Sequence, residues 1–237
     1  MLIRQGSDRD EISDRRLATS LAAVAGALNA AAFYAVGFFS ANMTGNVSIL
    51  SDHLAIGEWF GALLYAGIVV AFILGAACCA LILQAGSRRK IEGLHAYLVL
   101  AEAALVAPLA AADAMFTAPT RVVMIVGGLA FIMGLQNAIV THISDARVRT
   151  THVSGMATDF GMEIALVLDA KRAGTRAETN NIRKLRLHAS TMASFLLGGV
   201  VGVLVYRQVE AYLFILVSVA LILISVSGLR RIWRSQP

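Results

Sequence analysis

Cysteine, proline and charge are all scarce in this chain, and each scarcity removes a class of protein. The two cysteines, Cys78 and Cys79, are adjacent and lie inside an apolar run. They make neither a disulfide framework nor a metal site with ligand spacing, and read as packing thiols. Only three prolines interrupt 237 residues, which leaves long runs free to be helical. Charged residues make up 15% of the chain, and the net charge of +5 comes from basic residues in short segments beside apolar runs. There they set membrane orientation, so nucleic acid is excluded as a partner. No Ser/His/Asp or Cys/His arrangement, phosphate-binding glycine loop or metal-ligand cluster stands out, and His142 and His152, ten apart across a break, are weak evidence for a metal. No enzymatic activity, cofactor or metal is expected.

What the chain does have is apolar surface. Hydrophobic residues are 58% of it and its mean hydropathy is +0.72, whereas an ordinary soluble domain is about 45–50% apolar. Runs of about 20 apolar residues without a period of two indicate spanning helices rather than barrel strands. The expected fold class is therefore all-α, a polytopic helix bundle in the lipid bilayer. Six spans are predicted at Leu17–Gly37, Trp59–Leu83, Leu94–Ala114, Val122–His142, Leu187–Tyr206 and Val209–Leu229. The first sixteen residues mix Asp8, Asp10, Glu11 and Asp14 with Arg9, Arg15 and Arg16, and no small-residue cleavage site clearly follows, so the first run reads as a retained helix rather than a signal peptide. Basic residues recur at Arg88, Arg89 and Lys90, between Arg147 and Arg186, and at Arg230, Arg231 and Arg234, while the alternate connections hold few. By the positive-inside rule both termini are cytoplasmic.

Two connections are too apolar to be solvated loops. Phe38–Glu58 has no Lys or Arg and contains ANMTGN from Ala41 to Asn46; Val153–Leu168 follows TTHVSG, Thr150 to Gly155, and precedes a basic linker over 171–186. Each is short for a span and is expected to be a half-helix dipping back into the protein. The two halves also match. GALNAA begins at Gly26 and GLQNAI at Gly134, 108 residues on, and Asn42-Met43-Thr44-Gly45 pairs with His152-Val153-Ser154-Gly155 at a spacing of 110. Repeat one covers 17–115 and repeat two 122–229; with three spans each, the second enters the membrane from the opposite side. Inverted repeats with broken helices are a recurring plan of secondary transporters, an argument from architecture alone.

Each candidate residue has a functional and a structural reading. Asn42, Thr44, Gly45 and Asn46 can cap a half-helix whose N–H groups attract anions or carbonyl oxygens, or form a polar turn before an interfacial helix. The two glycosylation patterns there are discounted because so apolar a segment is not displayed to water. Thr150, Thr151, Ser154 and Gly155 offer the same chemistry, with Arg147 and Arg149 adding cations or meeting lipid head groups. Asn29, Gln136 and Asn137 line a shared cavity or join helices. Asp159 and Glu163, four apart, would repel if both were ionised unless a proton, cation or Arg intervenes, or they reach water or the basic linker. Glu102, deep in span 3, is either a proton-coupling group or a protonated carboxyl bonded to a neighbouring helix. Gly198 and Gly202 have the small-xxx-small spacing of close helix packing.

GALNAAAF, ANMTGN and GLQNA followed by VRTTHVSGMATDFG resemble the two signature regions of the YoaK family, domain of unknown function 1275, over nearly the whole chain. The resemblance implies a bacterial inner-membrane protein of about six helices and names no substrate. The family usually carries Asp where this chain has Asn29, so a proton-carrying role at that position is not implied here. A looser likeness is to uracil and sulfate permeases, whose half-helix N-termini face the substrate; Gln136-Asn137-Ala138 resembles the QN-containing nucleobase-permease signature. As this chain has half as many helices, a homodimer is expected. The leading expectation is a secondary transporter of a small anionic or amide-bearing solute; the alternatives are a passive channel and a non-transporting scaffold or sensor.

Overall fold

The computed structural model describes residue 2, residues 11–175 and residues 178–233. Asp8, Arg9, Asp10, Arg234 and the centre of the basic linker at 176–177 lie outside the described residues. Among the described residues the regular structure is helical throughout: α1 Glu11–Val36, α2 Met43–Ile56, α3 Trp59–Arg88, α4 Leu94–Val106, α5 Pro108–Met115, α6 Thr120–Ser144, α7 Val153–Arg172, α8 Thr179–Val209 and α9 Tyr212–Trp233. Six stretches are long and apolar enough to cross a bilayer: α1, α3, α4 with α5, α6, α8 and α9. The fold is thus the expected all-helical polytopic bundle.

Two details refine the predicted spans. The third is split where Pro108 follows Ala107, because proline offers no N–H to the carbonyl four residues earlier and its ring crowds that turn. The helix of the fifth span, α8, starts at Thr179 rather than at the edge of the apolar run, so Arg183, Lys184 and Arg186 belong to it. The segments expected to be half-helices are α2 and α7. However, α7 runs 20 residues, past the expected end at Leu168 and into the basic linker, so at about 30 Å it is not short for a span as the sequence suggests. At 14 residues, α2 reaches only about 21 Å, short of a hydrocarbon core of about 30 Å. It ends at Gly57, whose left-handed φ of 77° lets the cap N–H return to the carbonyls of His53 and Leu54.

α1 and α6 are the most buried spans and lie against each other, while α3 and α8 are the least buried. α1 packs chiefly on α8 and α6 chiefly on α3, with α4 against α9. Glycine makes both main pairings possible. A Cβ on Gly26 of α1 would strike the carbonyl of Phe195 on α8, and one on Gly134 of α6 would strike the carbonyl of Phe72 on α3. Reciprocally, a Cβ on Gly75 of α3 would strike Phe131, and one on Gly198 of α8 would strike Ala23. These are backbone atoms, which cannot swing aside, and in a bilayer such close approach supplies much of the attraction between helices. Gly26 and Gly134 are 108 apart, as are Ala23 and Phe131; Phe72 and Phe195 are 123 apart, as are Gly75 and Gly198. Corresponding residues of the two halves therefore make corresponding contacts.

At the far end of α6, Arg121 donates from Nε to Asp113 Oδ1 on α5 at 2.8 Å, and the Tyr206 hydroxyl of α8 donates to Asp113 Oδ2 at 2.6 Å. This closed triad ties three helices and leaves Asp113 neutralised while buried.

Gly26→Ala is expected to lower stability in detergent by about 1–3 kcal/mol through overpacking. Gly127→Ala, where a Cβ meets nothing within 4 Å, should be neutral or stabilising by up to about 1 kcal/mol. Thermal unfolding of both variants checks the contrast.

Candidate functional site

After α1 the chain turns at Gly37, in the left-handed region at φ 80°, and runs back into the protein. The return is fixed by Asn29, whose Oδ1 accepts from the Ala41 N–H at 2.8 Å. Asn29 lies seven residues before the end of α1, so α2 begins about two turns, or about 10 Å, inside that end. The second half repeats the device. Asn137 lies seven residues before the end of α6 and its Nδ2 donates to Thr151 Oγ1 at 2.8 Å, drawing the start of α7 inward. The turn here is made by Asp145 and Ala146, both at positive φ. Both arms thus return toward the interior of the bundle, held by the two amides that occupy the same place in the matched motifs.

The cap positions correspond as well, though only the first is closed by a side-chain bond. Asn42 caps α2, its Oδ1 accepting from the Gly45 N–H at 3.2 Å. His152 stands at the matching place before α7, with Nδ1 at 3.1 Å from Arg149 Nη1. A Cβ on Gly45 would strike the Asn42 amide and one on Gly155 the His152 ring, which is why both positions are glycine. In the first turns the Ser48 hydroxyl donates to the Thr44 carbonyl at 3.0 Å and the Thr158 hydroxyl to the Ser154 carbonyl at 3.1 Å. Neither first turn contains an acidic residue, so the partial positive charge of both helix starts is left uncancelled.

These two starts border one cavity of about 910 Å³. Of the residues expected from sequence, Asn29, Asn42, Thr44, Gly45, Asn137, Thr151 and Ser154 line it, as does Arg149. Asn46, Gln136 and Thr150 do not; they are buried behind its wall. There Asn46 Nδ2 donates to the Phe39 carbonyl at 3.0 Å, and Gln136 Nε2 to the Leu21 carbonyl at 3.0 Å and Thr150 Oγ1 at 3.4 Å. Gly155 does not line the cavity, because the His152 ring covers its face. Phe72 and Phe195 also line it, and sequence reading missed them. Their signal was present: FILGA at 72–76 matches FLLGG at 195–199.

The remaining expected residues lie elsewhere. Arg147 sits 3.5 Å from Asp14 in a separate cleft of about 590 Å³ with Asp159, Glu163, Arg183 and Lys184. Glu163 is buried there against His188, Oε2 to Nδ1 3.2 Å, so its repulsion with Asp159 is offset by basic groups on α8. Glu102 lies in neither place: it is fully buried in α4. His142 and His152 are not together, since His142 meets His95 on α4 while His152 faces the cavity. Among the described residues no group of three His, Cys, Asp or Glu could hold a metal ion.

Comparison with known proteins places the chain in a family. The family model described as "Protein of unknown function (DUF1275)" matches residues 17–227, and the chain belongs to that family. No curated protein and no solved structure matches it.

Removing either amide should free its arm. Asn29→Ala is expected to raise hydrogen exchange across 38–46, and Asn137→Ala across 148–156, by about tenfold or more for the loss of a buried hydrogen bond of about 1–3 kcal/mol. Unchanged protection in both would refute the tethering role.

Proposed function

We propose that within this family the chain acts as a secondary-transporter-like protein, binding a small anionic or amide-bearing solute between the starts of α2 and α7. The observation that carries the reading is the electrostatic character of the cavity. Two uncancelled helix N-termini border it, and among the described residues Arg149 is the one formally charged lining residue and none of the lining residues is acidic. Such a site favours negative charge and carbonyl oxygens. Thr44, Ser154, Thr151 and the two amides supply neutral hydrogen-bonding groups that fix orientation, and Phe39, Phe72 and Phe195 supply apolar walls.

Paired re-entrant helices, drawn in by amides at matching positions, fit an inverted duplication in which the solute sits near the midplane and the halves rock around it. The fit is supported by the reciprocal glycine contacts of α1 with α8 and α6 with α3. The proposal places the protein in a bacterial inner membrane with both termini cytoplasmic, as the basic connections favour. It also includes a homodimer, for which the wide apolar faces of α3 and α8 leave room.

The test is solute binding by thermal shift followed by saturable uptake in proteoliposomes. Thr44→Val or Ser154→Val should weaken binding about fivefold for one neutral hydrogen bond, and Arg149→Gln about tenfold or more if the solute is an anion. A confirmed solute whose binding and uptake ignore all three changes would overturn the assignment. Flux that never saturates would favour a passive channel instead, and no solute density between the arms would favour a scaffold or sensor.

A further inference from the structure

Glu102 stands in the middle of α4, fully buried, and neither carboxyl oxygen has a hydrogen-bond partner among the described residues. The helices around α4 bring no cation to this depth. α6 has no titratable side chain between Arg121 and His142, and α9 has none between Tyr212 and Arg230. On α5, Asp113 is committed to Arg121 and Tyr206. α3 offers the thiols Cys78 and Cys79, the second of them buried. An ionised carboxylate with no partner in hydrocarbon is far costlier than the neutral acid. The Glu102 side chain therefore holds a proton.

A second feature gives that proton a path. His95 lies seven residues before Glu102 on α4, hence on the same face and about 10 Å nearer the helix start. Its Nε2 is 3.1 Å from Nδ1 of His142 on α6. Both rings line a small cavity of about 200 Å³ with Ser87 and Lys90, at the end of the bundle that also carries Arg88, Arg89, Glu92, Asp145 and Arg230. A hydrogen-bonded imidazole pair takes a proton on one ring nitrogen and releases one from another, with no net change in the pair. Between the pair and Glu102 lie the buried Leu98 and Val99, so the step occurs only when this packing opens. We propose that Glu102 is an intramembrane proton-binding site loaded from the α3–α4 end through the His95–His142 pair. The carboxylate accepts the proton that the pair gives up, and the pair recovers one from water in its cavity.

The inference is independent of any solute, and so is its test. The full-length protein in lipid nanodiscs should show the infrared carbonyl stretch of a protonated carboxylic acid at neutral pH. Glu102→Gln should abolish it and Glu163→Gln should leave it. Absence of the band, or its survival in Glu102→Gln, would overturn the site. If Glu102→Gln fails to fold, carbodiimide labelling of the unmodified chain decides, because the reagent attacks protonated carboxyls in apolar surroundings; an adduct mapped to Glu102 supports the site and none there overturns it. On transfer to heavy water the band should shift slowly, and His142→Phe should slow that shift by about tenfold or more. An unchanged rate would overturn the access route.

Discussion

A backbone that leaves helical geometry inside hydrocarbon must find every hydrogen bond within the protein, since no water is present to supply one. The Asn29 amide meets part of that demand by accepting from the Ala41 N–H; in the second arm the Ser144 hydroxyl accepts from the Val148 N–H, and the Asn137 amide ties the chain through the Thr151 hydroxyl. Each of the two amides sits on a central helix two turns from its end and reaches the returning strand of chain, at Ala41 and Thr151 respectively. The inward position of α2 and α7 follows from those two contacts, and from it follow the shared cavity and the exposed helix starts that border it. Residues behind the wall add further ties: Asn46 donates to the Phe39 carbonyl, and Gln136 to the Leu21 carbonyl of α1 and to Thr150.

The scaffold that carries these amides rests on backbone-to-backbone approach rather than on large side chains. Gly26, Gly75, Gly134 and Gly198 bring α1 to α8 and α6 to α3 at equivalent heights, so Asn29 and Asn137 face the same space. Where the halves differ, the difference has a chemical consequence. Leu28 stands at the place that Gln136 holds in the other half, and Ser40, at the place matching Thr150, is buried with its hydroxyl unpartnered among the described residues. Phe39 stands where the second arm has Arg149. One arm therefore brings an aromatic wall, with Phe39 stacked on Phe33 at 4.2 Å, and the other brings the charge.

Much of this was legible in the residues, for identifiable reasons. Span lengths follow from hydrocarbon thickness, so all six were readable, and small polar residues between apolar runs marked both arms. The amides stood out because polar groups are rare in such helices. Helix rotation was not readable: it decides that Asn42 and Thr44 face the cavity whereas Asn46 and Gln136 turn behind it. Nor were partners on distant helices. His95 with His142, Glu163 with His188, and the Asp113–Arg121–Tyr206 triad join residues whose sequence separations carry no periodic signal. The FILGA and FLLGG pair is readable in principle, but apolar segments of membrane helices resemble one another too readily for such a match to stand out.

The central claim is that the two arms meet across one cavity. The measurement that tests it most directly is intramolecular cross-linking of Thr44→Cys with Ser154→Cys, with Cys78 and Cys79 replaced by Ala, using a bismaleimide no longer than the cavity is wide. Efficient linkage within one chain is the predicted result, with none for the control pair Ile56→Cys and Ser154→Cys, because Ile56 lies at the far end of α2. Single labelling at both arm positions without linkage between them would contradict the account.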